Sequence, residues 1–171
     1  MQERCSATVV CGNAGSGKST LARRMAAEQR AVLVDIDTCT ERLVQQVLLA
    51  HGLDPADRDS PRYKQLLRDP VYEQMFDIAS ENLAHVPCIL VGPFTSERRD
   101  PAWPERLRQR LQAPVRIVIV HCDPAERRRR IEQRGNPRDV GKLSDWSDYA
   151  ALGVDRETPP FEHVWVDTTS R

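Results

Sequence analysis

An α/β fold built on a parallel sheet with helices over both faces is what the sequence predicts, and three observations predict it. Short apolar, β-branched runs recur along the chain, and most are followed by a stretch whose apolar residues fall at helical spacing. Strands alternating with helices in this way form parallel sheets buried on both faces. At 171 residues, with no internal repeat and no low-complexity tract, the chain makes one domain long enough for a real core.

The elements follow in order. Ser6–Cys11 is the first buried strand, a glycine-rich stretch comes next, and Leu21–Gln29 continues a helix that begins near Lys18. In that helix Leu21 and Met25, and Ala22 and Ala26, lie one turn apart. Ala31–Ile36 is a second strand. Thr38–Ala50 is a helix with Leu43, Val47 and Ala50 along one face, opened by a capping box of Thr38 and Glu41. Pro55–Asp69 and Val71–Ala84 are predicted as two helices divided at Asp69-Pro70. Val86–Gly92 and Val115–His121 are the third and fourth strands, Pro124–Arg134 is a helix, and His163–Asp167 is a short fifth strand. Gly52–Ala84 and Gly135–Thr158 are expected to stand off the sheet. The single domain 1–171 therefore divides into a core (1–51, 85–134, 159–171), an insertion (52–84) and a flap (135–158). The chain stops just after its last strand, where such folds add a helix, so a longer natural chain is expected.

Composition excludes several classes. Lys and Arg number 25 and so do Asp and Glu, so no overall field draws the chain to nucleic acid or to a membrane surface. No apolar stretch approaches the ~20 residues that span a bilayer, and the first strand begins too early to leave room for a signal peptide. Cys5, Cys11, Cys39, Cys88 and Cys122 form no metal-ligand spacing, and several lie in apolar runs as small hydrophobes. A reduced, cytoplasmic protein is the expectation.

Residues Gly12, Asn13, Ala14, Gly15, Ser16, Gly17, Lys18, Ser19 and Thr20 match G-x-x-x-x-G-K-[ST], between the strand and the helix that the motif requires. Glycines let the backbone close around phosphate oxygens with its N–H groups turned inward, and the helix start adds positive potential. Lys18 then reaches the β- and γ-phosphates, and the Ser19 hydroxyl binds Mg²⁺. ATP and Mg²⁺ are the implied cofactors.

Two further groupings point at the same end of the sheet. Asp35 and Asp37 close the second strand, where ligands sit in open α/β sheets, and i, i+2 spacing on an extended segment sets both carboxylates on one side. Asp35 is assigned to the metal and Asp37 to the acceptor hydroxyl as base. The alternative is that Asp37 and Thr38 merely start the next helix. On the helix Pro124–Arg134, Arg127, Arg130 and Arg134 share a face and converge on a triphosphate, Arg130 and Arg134 as catalytic groups and Arg127 as a nucleotide contact. Arg129 points away to the surface, and Glu126 and Glu132 are available to pair with these arginines. Trp146 and Tyr149 either close on an acceptor or pin the flap to the body. Gly92 permits close backbone approach, Thr95 or Ser96 can bond a substrate, and Asp167 and Thr168 line the adenine pocket. No acid ends the third strand, which moves the metal role to Asp35.

With both motifs quoted, the chain resembles the small P-loop kinases of the nucleoside-monophosphate-kinase-like fold. Val34-Asp35-Ile36-Asp37 is similar to the Asp-x-Asp motif of shikimate and gluconate kinases, and to acids placed likewise in zeta-toxin-like and polynucleotide-kinase-like members. The resemblance implies a three-layer P-loop NTPase fold with a five-stranded parallel sheet, a helical acceptor-binding insertion and a lid. It also implies that Asp35 helps hold Mg²⁺ and Asp37 meets the acceptor. Gly92 is followed by Pro93 rather than by further glycines, and no Phe-Arg pair occurs in Gly52–Ala84, so shikimate does not fit as acceptor. The expected partners are a nucleoside triphosphate and a small hydroxylated acceptor. A kinase of nucleotides or polynucleotide 5′ ends is the alternative, with Arg58, Arg62 and Arg68 available for a phosphorylated acceptor. A nucleotide-binding switch lacks the Asn-Lys-x-Asp and Asp-x-x-Gly motifs it would need.

Overall fold

Five parallel strands order as β2-β3-β1-β4-β5. They are β1 (Ala7–Cys11), β2 (Val32–Asp35), β3 (Cys88–Gly92), β4 (Val115–His121) and β5 (Val164–Asp167). The structure, a computed structural model, describes residues 5–152 and 157–170. Flap residues 153–156 lie outside the described residues. Central β1 pairs with β3 and β4 on either side, Val9 facing Leu90 and Ile117 in register.

Alternation along β1 sends Val9 and Val10 to opposite faces of the sheet. Val9 joins a core with Val44 and Leu48 of α2 (Ile36–Ala50), Met75 and Ala79 of α3 (Pro61–Asn82), and Leu107 and Leu111 of α4 (Trp103–Leu111). Val10 joins a second core with Leu21, Ala22 and Ala26 of α1 (Lys18–Gln29). The α5 helix (Pro124–Arg134) follows β4, and α6 (Val140–Ser144) and α7 (Trp146–Leu152) build the flap. This is the three-layer arrangement expected.

Three expectations are corrected. Within 55–84 stands one helix, α3 (Pro61–Asn82), that runs through Pro70. Its buried stripe of Leu67, Val71, Met75 and Ala79 keeps its spacing across the proline, so packing outweighs the break. Only the first turns of α3 reach the site; the rest lies on the sheet rather than off it. The α2 helix begins at Ile36, capped by Asp35, whose Oδ1 accepts from the Asp37 N–H at 3.0 Å, so Thr38 and Glu41 lie inside it and do not cap it. Helix α4 has no counterpart in the sequence reading. Its charged sequence WPERLRQRL hides the short apolar stripe Trp103, Leu107, Leu111.

Candidate active site

The glycine loop leaves β1 at Gly12 and enters α1 at Lys18. Gly15 and Gly17 have φ of 79° and 84°, left-handed values that glycine alone adopts cheaply. A Cβ at Gly15 would also stand 2.8 Å from the Arg127 carbonyl oxygen. The Asn13 carbonyl accepts from Ser16 N at 3.2 Å and from Lys18 Nζ at 3.5 Å. The Ser16 hydroxyl is buried without a hydrogen-bond partner among the described residues. Thr20 is exposed in the first turn of α1.

Ser19 and Asp35, both assigned to the metal, lie side by side, Ser19 Oγ donating to Asp35 Oδ2 at 2.7 Å. Two hard oxygen donors side by side at the mouth of a phosphate loop suit Mg²⁺, whose other ligands come from water and phosphate. Among the described residues no cluster of three His, Cys, Asp or Glu offers an all-protein cage.

Asp37 is not on an extended segment but in the first turn of α2, because Asp35 already caps that helix. Both carboxylates nevertheless act on Lys18. Burial pulls the Lys18 pKa below its ordinary 10.5, while Asp37 and then Asp35 oppose the fall. Asp37 itself is held by Arg138, whose Nη1 and Nη2 each donate to it at 3.0 Å. Burial raises the Asp37 pKa, but the hydrogen bonds and charge of Arg138, then Lys18 and Arg134, outweigh it and leave it below 3.8. Arg138 also donates to Glu41 at 2.8 Å, and Glu41 pairs with Arg58 at 3.0 Å. The sequence analysis assigns Arg138 no role. Its only signal was a base in a polar segment facing two acids, since Gly135 and a 3₁₀ turn at Pro137–Asp139 break the helical register from Arg134.

The expected convergence of three arginines is corrected. Arg134 does border the cavity, donating to Asp139 at 2.7 Å. Arg130 turns aside to Glu126 (2.8 Å) and to the Thr168 carbonyl (2.6 Å). Arg127 is fully buried beneath the loop, near the Ala14 carbonyl (3.4 Å) and beneath the rings of Trp146 and Tyr149. The helical twist that aligns the three also carries the first two against the loop, near the Ala14 and Gly15 carbonyls. Arg129 is at the surface on Glu126, and Arg128 pairs with Glu132, as expected of a solvated face.

Thr168 and Asp167 lie at the end of β5, with Thr168 against the phosphate loop. Thr168 Oγ1 donates to the Ser16 carbonyl at 2.7 Å, bracing the loop, and Asp167 accepts from Thr169 N at 2.8 Å. Neither borders the cavity. The close approach at Gly92 is to the Phe94 ring, 2.9 Å from a Cβ there, rather than to a substrate. Of the flap aromatics, Tyr149 accepts from the Ala14 N–H at 3.3 Å and also borders the cavity described below.

Between the loop and α3 lies a cavity of about 750 Å³, bordered by Lys18, Asp37, Arg58, Tyr63, Lys64, Arg68, Thr95, Ser96, Arg134 and Arg138. A glycine loop at the head of the central strand, with Asp35 ending β2 on the far side of β3 and Asp37 just beyond it, defines a P-loop nucleotide-binding protein with the fold of the small P-loop kinases. More narrowly, the chain belongs to the AAA domain family, which matches it over residues 8–151.

Solved structures agree on the fold. A candidate kinase from Chloroflexus aurantiacus J-10-fl superposes with a TM-score of 0.67 at 16% identity, over 98% of this chain and 90% of that one. A gluconokinase from Sinorhizobium meliloti 1021 gives 0.56 at 15%, over 99% and 86%. A shikimate kinase from Acinetobacter baumannii, solved with shikimate, gives 0.53 at 14%, over 98% and 86%. At such identities the likeness is one of fold. No curated protein matches the sequence. Among the described residues no helix is long and apolar enough to cross a membrane.

Proposed function

We propose that the chain is an ATP-dependent phosphotransferase that moves the γ-phosphate of Mg-ATP to a hydroxyl of a small acceptor. The observation that carries this is that Lys18 of the phosphate loop and Asp37 border one cavity large enough for an acceptor. Lys18 binds the β- and γ-phosphates and offsets charge that develops in transfer. Ser19 and Asp35 would hold Mg²⁺, which supplies charge neutralisation at the phosphates. Asp37 accepts the acceptor hydroxyl's proton as its oxygen attacks γ-phosphorus and ADP leaves. A carboxylate locked by Arg138 is a poor base, so acceptor binding must first draw Arg138 away, towards the transferring phosphoryl group. Arg134 stands beside the same path. Five free cysteines support the reading of a reduced, cytoplasmic protein.

A second reading, an acceptor that itself carries phosphate, is favoured by Arg58, Lys64 and Arg68 on the α3 side of the cavity. Arg62, by contrast, is exposed, bonds Gln65 and does not border it. The test is ADP release from Mg-ATP with sugar acids, sugars, nucleosides, aminoglycosides, nucleotides and a 5′-hydroxyl oligonucleotide, with Lys18→Ala as blank. Stimulation by one class, lost in Asp37→Asn with ATP binding intact, is the expected result. Full turnover in Asp37→Asn would remove the base assignment and leave Asp37 as a helix-start acid.

A further inference from the structure

Three consecutive residues beyond β3, Glu97–Arg99, form a 3₁₀ turn, and each is tied to a different part of the molecule. Glu97 pairs with Arg68 on α3, and Arg99 with Glu157 at 2.6 Å. Arg98 turns inward. Only 2% of it is exposed, and its Nη2 donates to Asn13 Oδ1 at 2.7 Å.

Asn13 is the second residue of the phosphate loop, and its carbonyl is where Ser16 N and Lys18 Nζ both arrive. The side chain of this one asparagine is thus fixed by Arg98, while its main chain orients the loop's lysine. The turn is itself held firmly. Phe94, with φ of 46°, is a non-glycine residue in the left-handed region. Its ring is fully buried, 5.0 Å from Tyr72 and 5.1 Å from Trp103, and its carbonyl accepts from the Arg98 N–H at 3.0 Å. Burying a guanidinium is costly and is tolerated where its donors meet acceptors in fixed geometry. Here the fixed acceptor belongs to the loop that grips phosphate. The charge of Arg98 is also felt at Cys11, immediately before the loop, where it opposes the rise that burial gives that thiol's pKa.

We propose that Arg98 is a positioning residue for nucleotide binding: by holding Asn13 it sets the carbonyl that presents Lys18 to the phosphates. Through the adjoining Glu97–Arg68 pair the same turn joins the loop's shape to the α3 side of the cavity. The proposal rests on the nucleotide-binding part of the function above.

Its test is the Kd of Mg-ATP for the full chain and for Arg98→Met, Asn13→Ala, their double variant, Arg98→Lys, and Leu107→Ala. Leu107, 2% exposed in α4, is a control that lowers the melting temperature by opening a cavity in the core without removing a polar contact to the loop. All are measured well below every melting temperature. Losing a hydrogen bond from a charged donor predicts affinity falling roughly tenfold in each single variant. The double variant should be no weaker than the weaker single, Arg98→Lys should fall between, and Leu107→Ala should stay within about twofold. Additive losses in the double variant, or Arg98→Met no weaker than Leu107→Ala, would overturn the proposal. Where Arg98→Met does not fold, Arg98→Lys, alone and combined with Asn13→Ala, completes the cycle. If wild type and Lys18→Ala were equally unable to bind Mg-ATP, the nucleotide reading itself would fall, and this one with it.

Discussion

Removing Arg138 should cost stability chiefly through its two hydrogen bonds to Asp37. Arg138→Met deletes two hydrogen bonds of 3.0 Å on Asp37 and one of 2.8 Å on Glu41, while Glu41 keeps Arg58. A hydrogen bond to a charged group is worth about 1.5–3 kcal/mol when buried, and an exposed ion pair about 0.2–1 kcal/mol. The Arg138 side chain is 17% exposed and that of Asp37 53%. That intermediate setting puts the coupling at about 1–2 kcal/mol, or roughly 2–8 °C in Tm for a domain of this size. The assay is a double-mutant cycle by urea unfolding at pH 7.5 with Arg138→Met, Asp37→Asn and both. Because the Asp37 pKa is lowered on folding, the stabilisation is fully present above its ordinary 3.8 and is lost as pH falls through the folded value. The coupling should therefore persist from neutral pH down to about pH 4 and weaken only below that. A coupling under about 0.5 kcal/mol at pH 7.5, within the additivity error of independent sites, would refute the reasoning.

Other perturbations separate the remaining roles. Ser19→Ala and Asp35→Asn should each raise the Mg²⁺ concentration needed for tight ATP binding without preventing metal-free ADP binding; a Mg²⁺ titration of nucleotide affinity reads this. Gly15→Ala forces a methyl to 2.8 Å from the Arg127 carbonyl at φ 79°, so it should lower Tm and abolish nucleotide binding, as calorimetry would show. Pro70→Ala restores an N–H inside α3 and should raise Tm, by roughly 1–3 kcal/mol in stability, in a thermal melt followed by circular dichroism.

The strands and the phosphate loop were legible because both are written locally. β4 and α5 fall where their sequence patterns place them, and four fixed loop positions sit between a strand and a helix. What escaped depends on tertiary pairing. Pro70 is a strong local stop, overruled by four buried residues on one stripe. The arginines of α5 share a face, but a face alone does not say whether carbonyls or phosphates lie opposite. Arg98 and Asn13 are 85 positions apart, and nothing in either neighbourhood announces the other.

The position of β1 has a consequence for how the chain comes into being. Ala7 finds its partners only at Cys88 and Val115, and the loop beyond it is braced by Thr168 through the Ser16 carbonyl. Parallel pairings at such separations carry a heavy loop-closure cost before any contact rewards it, so they form late and slowly. During synthesis the loop motif precedes most of its walls in the chain, so it has none until nearly the whole domain has left the ribosome. Nucleotide can then act as a ligand of the finished fold and not of its early intermediates, and ATP should slow unfolding far more than it speeds folding.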